Sequence, residues 1–223
     1  MTLASALFAA MNVVARLGAA TMPWQEVALS RFLIGIPMML AVARWRGVPL
    51  RVEQPRAALL RSFFGTCAGV GTFYALAQSD VALGDVVTLF NTSPIFVALL
   101  SFPVLREPVR PQVFGALALS ALGVVAILRP ELRVAGDVGL AALGAALASS
   151  FAMMALRRLG PREPPEAIVL HFCVFGSVAF TLLSIPVWRT PDARSALVLL
   201  ATGLLGNTAQ LAMTRAYSLD GAA

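Results

Sequence analysis

The sequence predicts an all-α integral membrane protein with about eight transmembrane helices, and three observations carry that prediction. Hydrophobic residues fill 59% of the 223 positions and charged residues 13%, against roughly 45–50% and 25% in soluble domains. Apolar stretches of about 17–22 residues recur along the chain, and a hydrocarbon core of ~30 Å takes about 20 helical residues to cross. Polar and apolar residues do not alternate within them, which argues against membrane strands of about 10 residues. The connections are short, so no room remains for a soluble domain.

The first stretch, residues 2–20, lacks a positively charged leader region and is read as a crossing. Asn12 and Arg16 lie i, i+4 on one of its faces, a candidate polar lining. The second, 25–43, carries Arg31 about 10 Å deep by the helical rise. Two readings of Arg31 stand. Either it snorkels to the interface or pairs with Glu26, or it faces a cavity and meets an anionic group of a substrate. The third, 58–78, shows Gly65, Gly69 and Gly71, a small-residue ridge for close helix packing. Tyr74 and Gln78 share one of its faces.

The fourth stretch, 84–105, holds Thr88 and the run Asn91-Thr92-Ser93-Pro94. Pro94 lacks an N–H and crowds the preceding turn, so a kink is expected near Phe90. Thr92 and Ser93 can satisfy the carbonyls that the kink frees. Either this is a bent helix with no ligand contact, or Asn91, Thr92 and Ser93 line an aqueous cavity, since Asn91 against lipid is costly. The fifth, 112–128, has Gly115 and Gly123 with Ala116 and Ser120 four apart, again read as packing. The sixth, 136–156, is followed by the seventh, 166–187, with the only histidine, His171. Proton coupling and simple packing are both open for it. In the eighth, 195–214, Asn207, Gln210 and Thr214 share a face.

All seventeen basic residues are arginine and the net charge is +6. Eleven fall in or beside connections that alternate to one side, and four on the other, with Arg16 and Arg31 inside helices. The positive-inside rule then places the N-terminus in the cytoplasm. The charge reports topology, so no nucleic-acid partner is expected. Cys67 and Cys173 fall singly inside stretches and are expected to be buried thiols. No phosphate-binding loop, zinc spacing or nucleophile elbow is present, so no cofactor, metal or ATP-driven step is expected.

Residues 4–18, ASALFAAMNVVARLG, match 146–160, ALASSFAMMALRRLG, at Ala4, Ala6, Ala10, Met11, Arg16, Leu17 and Gly18. Gly65 to Ala75 set against Gly206 to Ala216 gives a weaker echo. If stretch one corresponds to stretch six and stretch three to stretch eight, the repeat unit has five helices. An odd number inverts the second copy, the plan of many secondary transporters.

Three segments carry a resemblance to a known family: Arg31-Phe32-Leu33-Ile34-Gly35, the run YALAQSDVALGDV from Tyr74, and NTSPIFVALLSFPVLREPV from Asn91. Together they resemble the first half of an EamA-type protein of the drug/metabolite transporter superfamily. Arg106-Glu107 stands where that family usually has Gly-Glu, a small departure. The resemblance implies a ten-helix inner-membrane carrier built of two inverted repeats, and transport of amino acids, drugs or related metabolites. On that basis residues 1–130 are the first repeat and 136–223 an incomplete second one with three helices.

The leading expectation is a gradient-driven carrier of a small-molecule substrate, embedded in the lipid bilayer and working by alternating access, and not an enzyme. Its substrate path would draw on Asn12, Arg16, Arg31, Tyr74, Gln78, Asn91, Thr92, Ser93, Asn207 and Gln210. The alternatives are a membrane enzyme acting on a lipid-linked substrate, against which the acids are scattered through loops, and a truncated non-transporting remnant or assembly partner. An incomplete second repeat also leads to the expectation that the chain is unstable alone, forms a homodimer, or belongs to a longer reading frame by roughly 60 residues.

Overall fold

The computed structural model describes residues 2–100, 136–220 and, between them, the helical positions 115, 118, 119, 122 and 123. Its described residues form α1 (Thr2–Ala19), α2 (Trp24–Arg46), α3 (Pro55–Ala77), α4 (Leu83–Phe90), α5 (Ser93–Leu100), α6 (Asp137–Leu159), α7 (Pro165–Ser184) and α8 (Ala193–Asp220). A short 3-10 turn, Ile185–Val187, extends α7. No strand occurs among the described residues.

Local chemistry sets the helix ends. Pro55 and Pro165 open α3 and α7, where a missing N–H costs nothing. Gly47 closes α2 in the left-handed region at φ 65°, and Val48 N–H reaches back to Ala43 O at 3.0 Å. Only glycine adopts that backbone without strain, which is why α2 stops there.

Among the described residues six spans are long and apolar enough to cross a membrane: α1, α2, Leu83–Leu100, α6, Pro165–Val187 and Ala193–Leu219. The expected count of about eight is therefore not reached among the described residues. Stretch three is a helix of sufficient length, 23 residues, but Arg56, Arg61 and its glycines and threonines make it less apolar than the others. Apart from those five helical positions, stretch five lies outside the described residues, as do the Arg106-Glu107 pair and the connections bearing Arg110, Arg129 and Arg133. Stretch four is two helices, α4 and α5, meeting at Asn91 and Thr92.

Three interfaces dominate the packing: α3 on α6, α2 on α7, and α1 on α8. Next come α2 on α8 and α3 on α7, while α4 and α5 lie on α6. Exchanging α1 with α6, α2 with α7 and α3 with α8 returns the same set of three main pairs.

The largest core cluster joins Val27 and Phe32 of α2, Phe73 and Leu76 of α3, Val86 of α4, Val138 of α6 and Phe180 of α7. Phe32 and Phe180 stack with centroids 5.2 Å apart, and Phe172 meets Phe32 edge-on at 5.1 Å. A second cluster gathers Ala4, Ala58, Leu156, Leu159, Ile168 and Met213. Leu3, Leu17, Leu140, Leu182 and Leu197 are left exposed, as lipid-facing positions of membrane helices are.

Glycines let the helices approach. A Cβ at Gly176 would run into the Phe32 ring, one at Gly203 into Ile34, and one at Gly71 would come within 2.6 Å of the Ala141 carbonyl. Gly115 and Gly123, expected to pack tightly, have nothing within 4 Å among the described residues. Cys67 is exposed, which corrects the expectation of a buried thiol: its position on α3 points away from the α6 and α7 contacts. Cys173 is buried, and both are free.

Candidate functional site

The residues that matter meet where α2, α3, α7 and α8 converge. Gly35, one turn beyond Arg31, sits so close to α8 and α7 that a Cβ there would collide with Asn207 Oδ1 and Cys173 Sγ. That closeness lets Asn207, 2% exposed, clamp two helices. Its amide donates to the Arg31 carbonyl at 2.6 Å on α2 and to the Gly203 carbonyl at 2.7 Å on α8. Cys173 Sγ donates to Asn207 Oδ1 at 3.2 Å, so α7 joins the same node.

The Arg31 side chain runs into this interior. Its Nη2 donates to Gln210 Oε1 at 3.3 Å, and its guanidinium lies 5.7, 5.6 and 6.0 Å from the ring centroids of Phe8, Phe32 and Phe172. Gly206 makes space for it, because a Cβ there would stand 3.1 Å from Arg31 Nε. Gln210, 3% exposed, bonds onward to Thr214, whose hydroxyl donates to the Gln210 carbonyl at 2.8 Å. The Arg31 side chain turns toward α8 and does not pair with Glu26. Glu26 is occupied elsewhere, accepting from the Arg189 backbone N–H at 2.6 Å.

Thus Arg31, Asn207 and Gln210 come together, while other candidates are engaged elsewhere. Arg16 donates to the Val81 carbonyl at 2.7 Å and pins the connection between α3 and α4. The Tyr74 hydroxyl donates to Asp137 at the start of α6, and the Gln78 amide donates to the Tyr74 carbonyl. Asn12 is half-buried on α1. At the break in stretch four, Asn91 is exposed, Ser93 is half-buried, and the Thr92 hydroxyl donates to the Leu89 carbonyl at 2.7 Å. Pro94 lies just inside α5. His171 Nδ1 pairs with the Ser62 hydroxyl at 2.9 Å.

Sequence reasoning missed Arg61. By position it is one of the eleven arginines in or beside the connections of one side, yet it is 4% exposed and its guanidinium lies 4.4 Å from the Phe172 centroid. Gly65, one turn on, is the signal: a side chain there would occupy the place of Arg61 Nη1.

At one end of the bundle, Glu166 of α7, 0% exposed, accepts from Arg46 of α2 at 2.6 Å and Arg215 of α8 at 2.8 Å. Glu163 beside it accepts from the Gln54 N–H at 2.7 Å. At the other end Glu26 ties the start of α2 to the connection after α7.

The profile of the EamA-like transporter family matches residues 1–129. A pseudopaline exporter, CntI, of Pseudomonas aeruginosa is 32% identical over 99% of this chain and 78% of its own. A riboflavin transporter of Vibrio cholerae is 29% identical over 98% of this chain and 75% of its own. A solved crystal structure superposes with a TM-score of 0.68 at 24% identity, over 96% of this chain and 79% of that one, and supports the fold. These relatives are named as membrane transporters, not enzymes, and the six apolar spans agree with a multi-pass protein of the bilayer. The chain belongs to the EamA-like transporter family.

Proposed function

We infer that this chain carries a small metabolite across the inner membrane by alternating access, with residues 136–223, as the second inverted repeat, moving against residues 1–130. One observation carries the reading: half-buried Arg31 meets the buried Asn207 and Gln210 among apolar helices. Ionisable groups inside membrane helices are costly and mark substrate pathways, and transporter sites lie where two repeats meet. The exchange symmetry of the helix packing supports two related halves. The relatives' names, a pseudopaline exporter and a riboflavin transporter, support a metabolite as cargo. Asn12 and the polar break at Asn91, Thr92 and Ser93 extend the path.

The test is an uptake and export screen of metabolite mixtures with the protein reconstituted in vesicles. We expect Arg31→Ala to lower transport at least tenfold while the yield of folded protein stays within twofold, and Arg31→Lys to remain impaired, since it keeps the charge but loses the planar fork. Loss of folded protein in step with loss of activity would make Arg31 structural.

A further inference from the structure

Among the described residues, two guanidinium groups reach the interior with no carboxylate to match them. Arg31 of α2 and Arg61 of α3 both lie against the ring of Phe172, with Cζ atoms 6.0 and 4.4 Å from its centroid. Neither forms a salt bridge among the described residues; it is Arg46 and Arg215 that pair with Glu166, at the end of the bundle. Arg31 spends one donor on Gln210. Arg61 spends none: its Nε and Nη1 are buried with no hydrogen-bond partner among the described residues. Stacking on an aromatic face offsets part of the desolvation of a guanidinium. It does nothing for the N–H groups at the guanidinium edge, whose burial without an acceptor is unfavourable.

The sequence builds this arrangement at a cost. Gly65 is needed for it, because a Cβ at that position would collide with Arg61 Nη1 and come within 2.8 Å of Phe172 Cε2. Two like charges near one ring repel each other, and the repulsion is strong away from water. An anion between them would cancel the repulsion and give the idle donors an acceptor.

We propose that Arg31 and Arg61 are the two arms of a receptor for a carboxylate group, so that the metabolite carried is an organic carboxylate. The proposal rests on the carrier reading above. A carboxylate spreads one charge over two coplanar oxygens that accept from guanidinium donors. Phosphate is the poorer fit. It brings more oxygens and a heavier hydration shell than these few donors, walled by the rings of Phe8, Phe32 and Phe172, can replace.

The experiment reads binding without transport. Detergent-purified protein is titrated with sodium succinate, sodium glutamate and sodium benzoate, and in separate arms with sodium phosphate and sodium chloride at matched ionic strength, following Tm. At least one carboxylate is expected to raise Tm by several degrees, with phosphate and chloride inert. Arg31→Gln and Arg61→Gln should each abolish that rise. Gly65→Ala, which displaces the Arg61 guanidinium but keeps both charges, should weaken the apparent affinity at least tenfold, and it decides the matter if Arg61→Gln does not fold. No rise with any carboxylate up to tens of millimolar, an undiminished rise in both Arg61→Gln and Gly65→Ala, or a rise with phosphate alone overturns the proposal. Vesicle uptake separates the two readings. Transport without a carboxylate response sinks the receptor alone, and a carboxylate response in a protein that moves nothing sinks the carrier alone.

Discussion

Gly35 is the residue on which the α2, α7 and α8 junction depends most directly. It holds no chemistry, yet any side chain there meets Asn207 Oδ1 and Cys173 Sγ, two atoms of the polar node itself. We expect Gly35→Ala to lower stability by about 1–3 kcal/mol, the usual cost of overpacking a core, read as a lower Tm in detergent. Gly144, in α6, has nothing within 4 Å, so Gly144→Ala should be neutral or stabilising by up to about 1 kcal/mol from helix propensity. Equal effects at the two sites would refute the packing argument. At this scale the sequence was only partly legible. Arg31, Asn207 and Gln210 stood out as polar groups inside apolar helices, but their being partners depends on elements far apart in the chain. Arg61 was hidden because an arginine six residues into a helix beside a basic connection looks interfacial. Its inward direction is set by Gly65 and by Phe172 on a distant helix.

Helix ends are where charge organises the elements. Glu166 opens α7 and accepts from Arg46 at the end of α2 and Arg215 in α8, so one carboxylate fastens three helices. Its two partners are each about two-fifths exposed, with side chains at 43% and 39%, so screening reduces what the pairs contribute. We expect Glu166→Gln to cost about 1–3 kcal/mol, because it strands donors at a buried site, and Arg46→Ala to cost less, because Arg215 still holds the carboxylate. A double-mutant cycle in detergent melts would measure the coupling, and additive losses would show that the three do not act as a unit. Asp192, just before α8, offers a pH test outside the spans. Hydrogen bonds from the Ser195 hydroxyl and N–H hold its carboxyl below the ordinary aspartate range. A depressed carboxyl stabilises the fold above its unfolded value, and that contribution is lost as pH falls through the folded one. The Tm difference between wild type and Asp192→Asn should therefore be constant near neutrality and vanish in acid; a difference that widens on acidification would reverse the sign. Apolar length and Pro/Gly punctuation located these elements to within a few residues. What they did not reveal is that stretch four separates into α4 and α5, or that α8 runs on to Asp220 past its polar face. Both outcomes depend on packing against other helices.

For the whole molecule, fold class was written in composition, while the pairing of helices was not. Nothing local says that α1 lies on α8 or α3 on α6, since all the apolar faces are alike. Sequence and structure together lead to an expected orientation. The Glu166 pairs place the end of α2, the start of α7 and the end of α8 on one side of the bundle, and the Glu163 bond to Gln54 adds the connection between α2 and α3. Glu26 and Arg189 place the start of α2 and the connection after α7 on the other. These contacts group the ends without saying which group faces the cytoplasm. Charge suggests that sign: among the described residues the first group carries Arg44, Arg46, Arg51, Arg56, Arg162 and Arg215, the second Arg189 and Arg194 with Arg16 in the last turn of α1, and by the positive-inside rule the arginine-rich side is the one expected in the cytoplasm. The arginine bias acts during insertion through the membrane potential and anionic lipids, so it is independent of the folded contacts that define the groups. We therefore expect a single cysteine at exposed position 51, on a background lacking Cys67 and Cys173, to react with an impermeant thiol reagent only after cells are opened. A cysteine at exposed position 82, between α3 and α4, should react in intact cells. Labelling of position 51 from outside would invert the orientation while leaving the grouping intact. Labelling of both from the same side would break the grouping itself, and with it the placement of α3 as a crossing.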